Sequence, residues 1–312
     1  MITLATFNVL DLLEPSDERE RAILPAKLDA LARTLRRIDA DVVGLQEVGP
    51  PALLDAVLER LPRLGGWGGL GGRAGGYLEP VVGTPDARGI RNVLLSRLPL
   101  LHAQVHTAES LPFPAFRQGD PPPFGARIPL RRGVVHARVD APAFGPLDVL
   151  VVHFKSPHPV PLRDAAGVEL PATTARARAE AGLRSIVWRA AEALHVRGLV
   201  DDVLAGEPPP EVVVMGDMND VPDSPVLRAL RGEGERGRGD AAELFDCAAG
   251  IEPARRFSIV HGGRRVQIDH LLATAGLHAR LAGAGFENGE LREVLELPSA
   301  VSDHAALVTR FG

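Results

Sequence analysis

The sequence predicts an α/β sandwich, and three observations predict it. Eight short apolar runs rich in valine, isoleucine and leucine recur along the chain. Helical patterns separate only some of them, so a regularly alternating parallel sheet does not fit. Several of the runs also end on polar residues that an ordinary half-buried strand would not need.

The elements follow in order. Residues 2–10, ITLATFNVL, read as a strand. In residues 24–38, Leu28, Leu31, Leu35 and Ile38 recur at helical spacing and share one face. Strands are expected at 41–48 (DVVGLQEV), at 92–100 (NVLLSRLPL, one strand), at 133–139 and at 147–154. The Ala-rich stretch 175–206 is a long helix closed by Gly206 and the prolines at 208–210. Residues 211–217, EVVVMGD, form a strand with an apolar run suited to burial on both faces. Ser224 and Pro225 then start a short helix through residue 232. Residues 267–274 and 305–311 supply the last strands.

Residues 65–76, 107–129 and 231–240 have loop composition. The first contains a G-x-G-x-x-G match at Gly66, Gly68 and Gly71, but no strand precedes it and no helix follows. It reads as a flexible loop rather than a dinucleotide site. There is no internal repeat and no evident linker, so residues 1–312 are expected to form one domain.

Composition bounds the function. With 45% hydrophobic and 24% charged residues, the chain has the make-up of a globular protein. The formal net charge of -5 gives no general attraction to polyanions, so any such site must be a local basic patch. The one cysteine, Cys247, allows no intrachain disulfide and reads as a buried apolar residue. No run is long enough to span a membrane, and the first residues lack a basic leader, which predicts a cytoplasmic protein. No partner-binding segment stands out, and a monomer is expected.

Six strand ends carry unusual polar residues: Asn8; Gln46 and Glu47; His153, Lys155 and Ser156; Asp217 and Asn219; Asp269 and His270; Asp303 and His304. Each alone has a mundane reading as a turn, cap or surface residue. Glu47 is harder to dismiss, because a buried unpaired carboxylate is costly. The chain has only two lysines, Lys27 and Lys155, and four asparagines, so these types are less readily surface filler here. If the ends converge, their chemistry is coherent. Carboxylates supply hard oxygen ligands for Mg²⁺, His153, Lys155 and the asparagine amides offer donors to phosphate, and a histidine beside a carboxylate makes an oriented base. Hydrolysis of a phosphate ester requires that set.

The order TFNVL, LQEV, LLSR, VHFKS, GDMND, IDH, SDH resembles the endonuclease/exonuclease/phosphatase superfamily over residues 2–311. That resemblance implies a four-layer αββα sandwich, two packed mixed sheets flanked by helices, with strand ends pointing into one cleft. It implies Glu47 as principal metal ligand with Asn8 beside it, and Asp303 as a second metal-side carboxylate. Asp217 and Asn219 look like the pair that positions the attacking water and contacts phosphate. His153 matches a phosphate-binding histidine, and His304 a catalytic histidine oriented by Asp269. Lys155 joins Asn8, His153 and Asn219 as substrate contacts. Whether His304 or Asp217 takes the proton from water stays open. Two departures stand out: Leu10, not an acid, lies two residues after Asn8, and Ile90 and Arg91 occupy the neighbourhood where an acid supporting His153 is expected.

The reading that follows is a phosphodiesterase dependent on Mg²⁺, with Mn²⁺ as substitute, most naturally a nuclease on DNA or RNA. A phosphomonoesterase or a sphingomyelinase-like phospholipid phosphodiesterase is the alternative, and a non-catalytic binding module is more remote because no site residue is missing. With Lys27 remote in sequence, the carboxylates are expected to cluster without a neutralising lysine. His270 is expected beside the site or packed in the sheet. Arg131, Arg132, Arg176, Arg178, Arg255, Arg256, Arg264 and Arg265 are candidates for gripping a polyanion. Phe113, Phe116 and Phe124 are candidates for stacking a base.

Overall fold

A computed structural model describes residues 1–61, 74–142, 144–234, 242–294 and 296–312. Gly66, Gly68 and Gly71, with most of the loop 231–240, lie outside the described residues. The first half of the chain supplies β1 (Ile2–Leu12), α1 (Glu18–Ile38), β2 (Val42–Val48), α2 (Pro51–Leu58), β3 (Val81–Val82), β4 (Arg91–Ser96), β5 (Leu100–His106), β6 (Val134–Ala141) and β7 (Gly145–His153). A small hairpin, β8 (Leu162–Arg163) and β9 (Glu169–Leu170), precedes α3 (Ala175–Leu204), β10 (Glu211–Asp217), α4 (Pro225–Arg231) and β11 (Leu244–Asp246). A second hairpin, β12 (Ile259–His261) and β13 (Arg264–Val266), leads to β14 (Asp269–Thr274), α5 (Ala275–His278), β15 (Leu281–Phe286) and β16 (Leu307–Phe311).

Two six-stranded sheets result, ordered β15-β16-β1-β2-β4-β3 and β11-β14-β10-β7-β6-β5. Each is mixed in the same way. One parallel pair lies at its centre, β1 with β2 and β7 with β10, and the neighbours on both sides are antiparallel. Period-two alternation assigns the faces. Leu4, Val42, Leu94, Val149, Val151, Val213, Met215 and Leu271 meet between the sheets. Phe7, Val43 and Leu45 face α1 and α2 on one outside. Leu150, Val152, Val212 and Val214 face α3 and α4 on the other. This is the expected αββα sandwich, and the near-continuous apolar strands reflect burial on both faces.

Local signals explain the helix starts. Thr174 and Ser224 cap α3 and α4 by accepting the amides of Ala177 and Leu227. The first helix starts earlier than expected from Leu24: Asp17 caps it by accepting the Glu20 amide, and Pro25 sits inside it. The expected single strand 92–100 is in fact two strands in different sheets. Ser96 Oγ donates to the Leu98 carbonyl at 2.7 Å and accepts the Leu98 amide at 3.0 Å, making a tight turn. Pro99 then has no N–H to continue the ladder, and the chain crosses from β4 in the first sheet to β5 in the second.

One glycine is essential to the central strand. Gly216 has φ 152°, and a Cβ there would lie 1.9 Å from the Val152 carbonyl oxygen on β7. Gly216→Ala is therefore expected to force β10 away from β7 and destabilise the protein by about 2–4 kcal/mol. Thermal unfolding checks this; an unchanged midpoint would show that the strands can separate freely.

Candidate active site

Parallel strands finish at the same end of a sheet, and an antiparallel neighbour begins there. The carboxyl ends of β1 and β2, and of β7 and β10, therefore meet the start of β14 and the segment entering β16. In the second sheet Asp217 pairs in register with His153 on one side and with Asp269 on the other. Alternation continues the inner-face series through these three residues and through Asn8 on β1. The site is thus the last layer of the inter-sheet core, where apolar rows give way to one polar row. Asn8 Nδ2 donates to Asp217 Oδ2 at 3.0 Å, joining the two sheets.

Glu47 reaches this layer by another route. Simple alternation after Leu45 would turn it toward the helices. The β2–β4 register instead shifts between Leu45 and Val48, and Glu47 adopts φ 63°. The bulge re-aims the side chain, bringing Glu47 Oε1 to 3.9 Å from His153 Nε2. Leu10, Asp11 and Asn219 also have left-handed backbones, at φ 54°, 45° and 52°. Strain of this kind gathers where side-chain placement matters more than backbone comfort.

His304 Nδ1 lies 2.7 Å from Asp269 Oδ2, and its Nε2 lies 3.9 Å from both Asp217 Oδ2 and Asp303 Oδ1. Ser302 fastens this segment, donating to the Asn8 carbonyl at 2.7 Å and accepting the His304 amide at 3.0 Å. Ser258 Oγ accepts the amides of Ile268 and Asp269, fixing the partner carboxylate. Asn219 closes a turn over Asp217, its amide donating to Asp217 Oδ1 at 2.9 Å and its side chain to the Phe154 carbonyl at 3.1 Å.

The electrostatics follow from this crowding. Burial raises the Asp217 pKa, and the Asp269 carboxylate adds to the effect, with a push to about 7. For His304 burial acts downward, but the charge and hydrogen bond of Asp269, with Asp217 and Asp303, reverse it and carry the ring to about 10. His153 is held well below the ordinary range by burial, then by the nearby Arg132 and His304 charges. It is a neutral ring, 3.4 Å from Asp217 Oδ2 through Nε2. Its buried Nδ1 has no partner among the described residues, so no supporting acid replaces the one missing near β4.

The structure corrects three expectations. Lys155 does not join the cluster: its ammonium donates to the carbonyls of Ser156 and His158, both at 2.7 Å, and to Ser156 Oγ at 3.2 Å. Burial, then the charge of Arg131, lowers it to about 8. Lys27, thought remote, lies beneath the carboxylates. It donates to the Leu10 carbonyl, and burial lowers its pKa against the opposing charges of Asp11, Glu47 and Asp303. Arg132 is buried, held by Asp86 at 3.2 Å and by the His153 carbonyl at 3.1 Å, so it supports the site from below instead of gripping a polyanion. His270 is packed in the sheet as expected, between Gln267 and the Asp220 carbonyl. Two further residues went unrecognised. The Asp11 amide donates to Glu47 Oε2 at 2.8 Å, and the Asp11 carboxylate is gripped by Arg88. Asp11 directly follows Leu10, one position beyond where the resemblance places an acid, and nothing in the loop sequence marks Arg88.

The oxygen-rich side of the layer fits a hard divalent cation. Asp303 Oδ1 is buried without a hydrogen-bond partner among the described residues, and Asp11 is raised by burial and by the charge of Glu47. Asp217, Asp269 and His304 also lie close enough to share an ion. The His304–Asp269 hydrogen bond uses His304 Nδ1 and Asp269 Oδ2, and Asp269 Oδ1 is left without a partner among the described residues. Glu47, 3.9 Å from His153, and Asp303, 3.9 Å from His304, are further carboxylates that could hold one.

The Endonuclease/Exonuclease/phosphatase family model matches residues 5–304. The chain belongs to this family. Structural similarity agrees with the assignment. Truncated Caenorhabditis elegans TDP2 is 17% identical with a TM-score of 0.59, covering 100% of this chain and 97% of its own. An AP endonuclease from Archaeoglobus fulgidus is 15% identical with a TM-score of 0.54, covering 100% and 99%. The 3′ phosphatase NExo from Neisseria, bound to product DNA hairpin, is 16% identical with a TM-score of 0.57, covering 100% of both chains. At these identities the likeness is one of fold. No curated protein sequence matches the chain at a significant level. Among the described residues no helix is long and apolar enough to cross a membrane.

Proposed function

We propose that this member of the family is a divalent-metal-dependent phosphodiesterase acting on nucleic acid. The observation that carries the reading is the single polar layer joining Asn8, His153, Asp217 and Asp269 to His304, with Glu47 and Asp303 at its margin. A cation held by Glu47 and Asp303, with Asn8 beside them, would polarise a phosphoryl oxygen. Magnesium fits such oxygen ligands, and manganese would substitute. Asp217, close to neutral in pKa and aimed by Asn8 and Asn219, orients the attacking water and accepts its proton. His304, kept as an imidazolium by Asp269, stabilises the charge that builds on the phosphoryl group. His153 and Asn219 contact the phosphate, with His153 donating through the nitrogen that faces the cleft.

Nucleic acid is favoured because two of the structural neighbours are, by name, an AP endonuclease and a DNA-bound 3′ phosphatase. Phe116, 88% exposed in the Pro-rich loop, is available for stacking, whereas Phe113 and Phe124 pack edge to face on each other. A panel of DNA, RNA, nucleotides, sugar phosphates and sphingomyelin, assayed with Mg²⁺ or Mn²⁺, tests the substrate class. Cleavage of a monoester or lipid with nucleic acids left intact would overturn it.

Metal dependence gives a separate test. Exhaustive chelation is expected to abolish activity, and Mg²⁺ or Mn²⁺ to restore it. A cation beside Glu47 favours the charged form of Asp217, so binding should release a proton below the Asp217 pKa of about 7 and tighten as pH rises through it. Calorimetry in buffers of different ionisation enthalpy measures that release. Full activity after chelation would remove the metal from the reaction.

A further inference from the structure

Away from the cleft, the outer face of the second sheet carries a group of histidines that the reaction does not use. His106 on the edge strand β5 and His136 on β6 lie on neighbouring antiparallel strands, with Gln104 directly opposite His136. The His106 and His136 rings stack, with centroids 5.5 Å apart. His106 Nε2 and His136 Nδ1 face each other at 3.3 Å. The Gln104 amide nitrogen lies 3.1 Å from the first and 3.3 Å from the second.

The tautomers follow from the partners. His136 Nε2 meets Asp148 Oδ1 at 2.7 Å, and Asp148 is held as an anion by Arg138 Nη2 at 2.8 Å. A carboxylate only accepts, so in the neutral ring His136 carries its proton on Nε2 and presents a lone pair at Nδ1. The Gln104 amide has two hydrogens and reaches both facing nitrogens, so each ring can offer it a lone pair. Two imidazole nitrogens then lie 3.3 Å apart, both within reach of one exposed amide.

We propose that His106 and His136 form a second metal site, selective for an imidazole-preferring divalent ion such as Zn²⁺, Ni²⁺ or Cu²⁺. Two imidazole nitrogens on one tetrahedral zinc, each at about 2.0–2.1 Å, are about 3.4 Å apart, which the 3.3 Å separation already matches. The Asp148–His136 contact is the outer carboxylate that orients and strengthens a ligating histidine. Gln104 can turn its amide oxygen to the ion in place of its nitrogen. His195, on the helix packed over this face, has a buried Nε2 without a partner among the described residues. The donor set is nitrogen-rich, unlike the carboxylate-rich cleft, so the two sites should sort different metals. Occupancy would tie edge strand β5 to β6.

The test is titration of the full chain, first stripped with chelator, with Zn²⁺ alone, followed by calorimetry and thermal unfolding. Wild type and Glu47→Ala, which removes the principal cleft ligand, are expected to bind one Zn²⁺ at the histidine site with equal affinity and to gain thermal stability. His106→Ala should weaken that binding by about tenfold or more and lose the thermal gain, while His102→Ala, exposed on the same strand, should do neither. Unchanged Zn²⁺ affinity in His106→Ala would overturn the site. Cu²⁺ electron paramagnetic resonance supplies a readout that does not depend on stability. Coupling to two imidazole nitrogens in the wild type, falling to one in His106→Ala, is expected; coupling to one or none in the wild type would also overturn it.

Discussion

Asp217→Asn and His304→Ala are each expected to lower turnover by about 10²-fold or more, with the protein still folded. The two residues flank one position. Asp217 accepts from the Asn8 side-chain amide at 3.0 Å and from the Asn219 backbone amide at 2.9 Å, so the asparagine variant loses the proton acceptor and keeps only one of these two bonds, its own NH2 facing the other donor. His304 lies 3.9 Å from Asp217 Oδ2, close enough for both to serve the same water and phosphoryl group. Their losses should therefore not add, and the double variant should fall little below the worse single one. Single-turnover rates with circular dichroism as a folding control decide this. Near-normal turnover in either variant, with unchanged metal content, would remove that residue from the mechanism.

Asp269→Asn should have a comparable effect through His304. The amide removes the charge and the strong hydrogen bond that do most to lift the ring to about 10, leaving burial, which acts downward, against the smaller upward pull of Asp217 and Asp303. In the metal-free wild type, nuclear magnetic resonance should show the ring protonated until pH approaches about 10; in the variant it should deprotonate at a clearly lower pH. Linkage gives a second readout. A histidine whose folded pKa exceeds its unfolded one contributes stability that is complete below 6.5 and disappears as pH rises through about 10. The stability advantage of wild type over Asp269→Asn should narrow across that window. The variant ring holds its proton less firmly and loses its orienting hydrogen bond, and turnover should drop by about 10²-fold or more. A ring that titrates identically in both proteins would show that Asp269 does not set its charge.

Much of this was legible in the residues, for a definite reason. Asn8, His153, Asp217 and Asp269 continue the inward-facing series of their own strands, so a period-two pattern carries both their burial and their shared face. Glu47 was conspicuous as a carboxylate in an apolar run. Its direction was not legible, because a register shift and a left-handed backbone, rather than alternation, aim it. The two lysines show the same limit. Their rarity drew attention to both, but only the packing of α1 against the ends of β1 and β2 brings Lys27 beneath the carboxylates, while a local turn consumes the donors of Lys155. The run 92–100 looked continuous because its apolar content is continuous; the break depends on a serine turn and one missing amide hydrogen. Arg88 sits in a loop with no periodicity to read.

Gly44 lies in the middle of β2, where a Cβ would come within 3.0 Å of the Val151 methyls and 3.1 Å of the Met215 methyl on the opposing sheet. The bare backbone lets the two sheets approach at that point, one level below the polar layer. Because Asn8 and Glu47 belong to one sheet and Asp217 and His153 to the other, the gap between the halves of the reactive cluster is set by the thickness of hydrocarbon beneath it. Methyl groups at Val151 and Met215 thus act as shims. Trimming or enlarging them would alter the spacing of groups they never touch. Variants selected for altered catalysis should accordingly include changes in this oily filling, and attempts to stabilise the interior should be screened for unintended changes in rate.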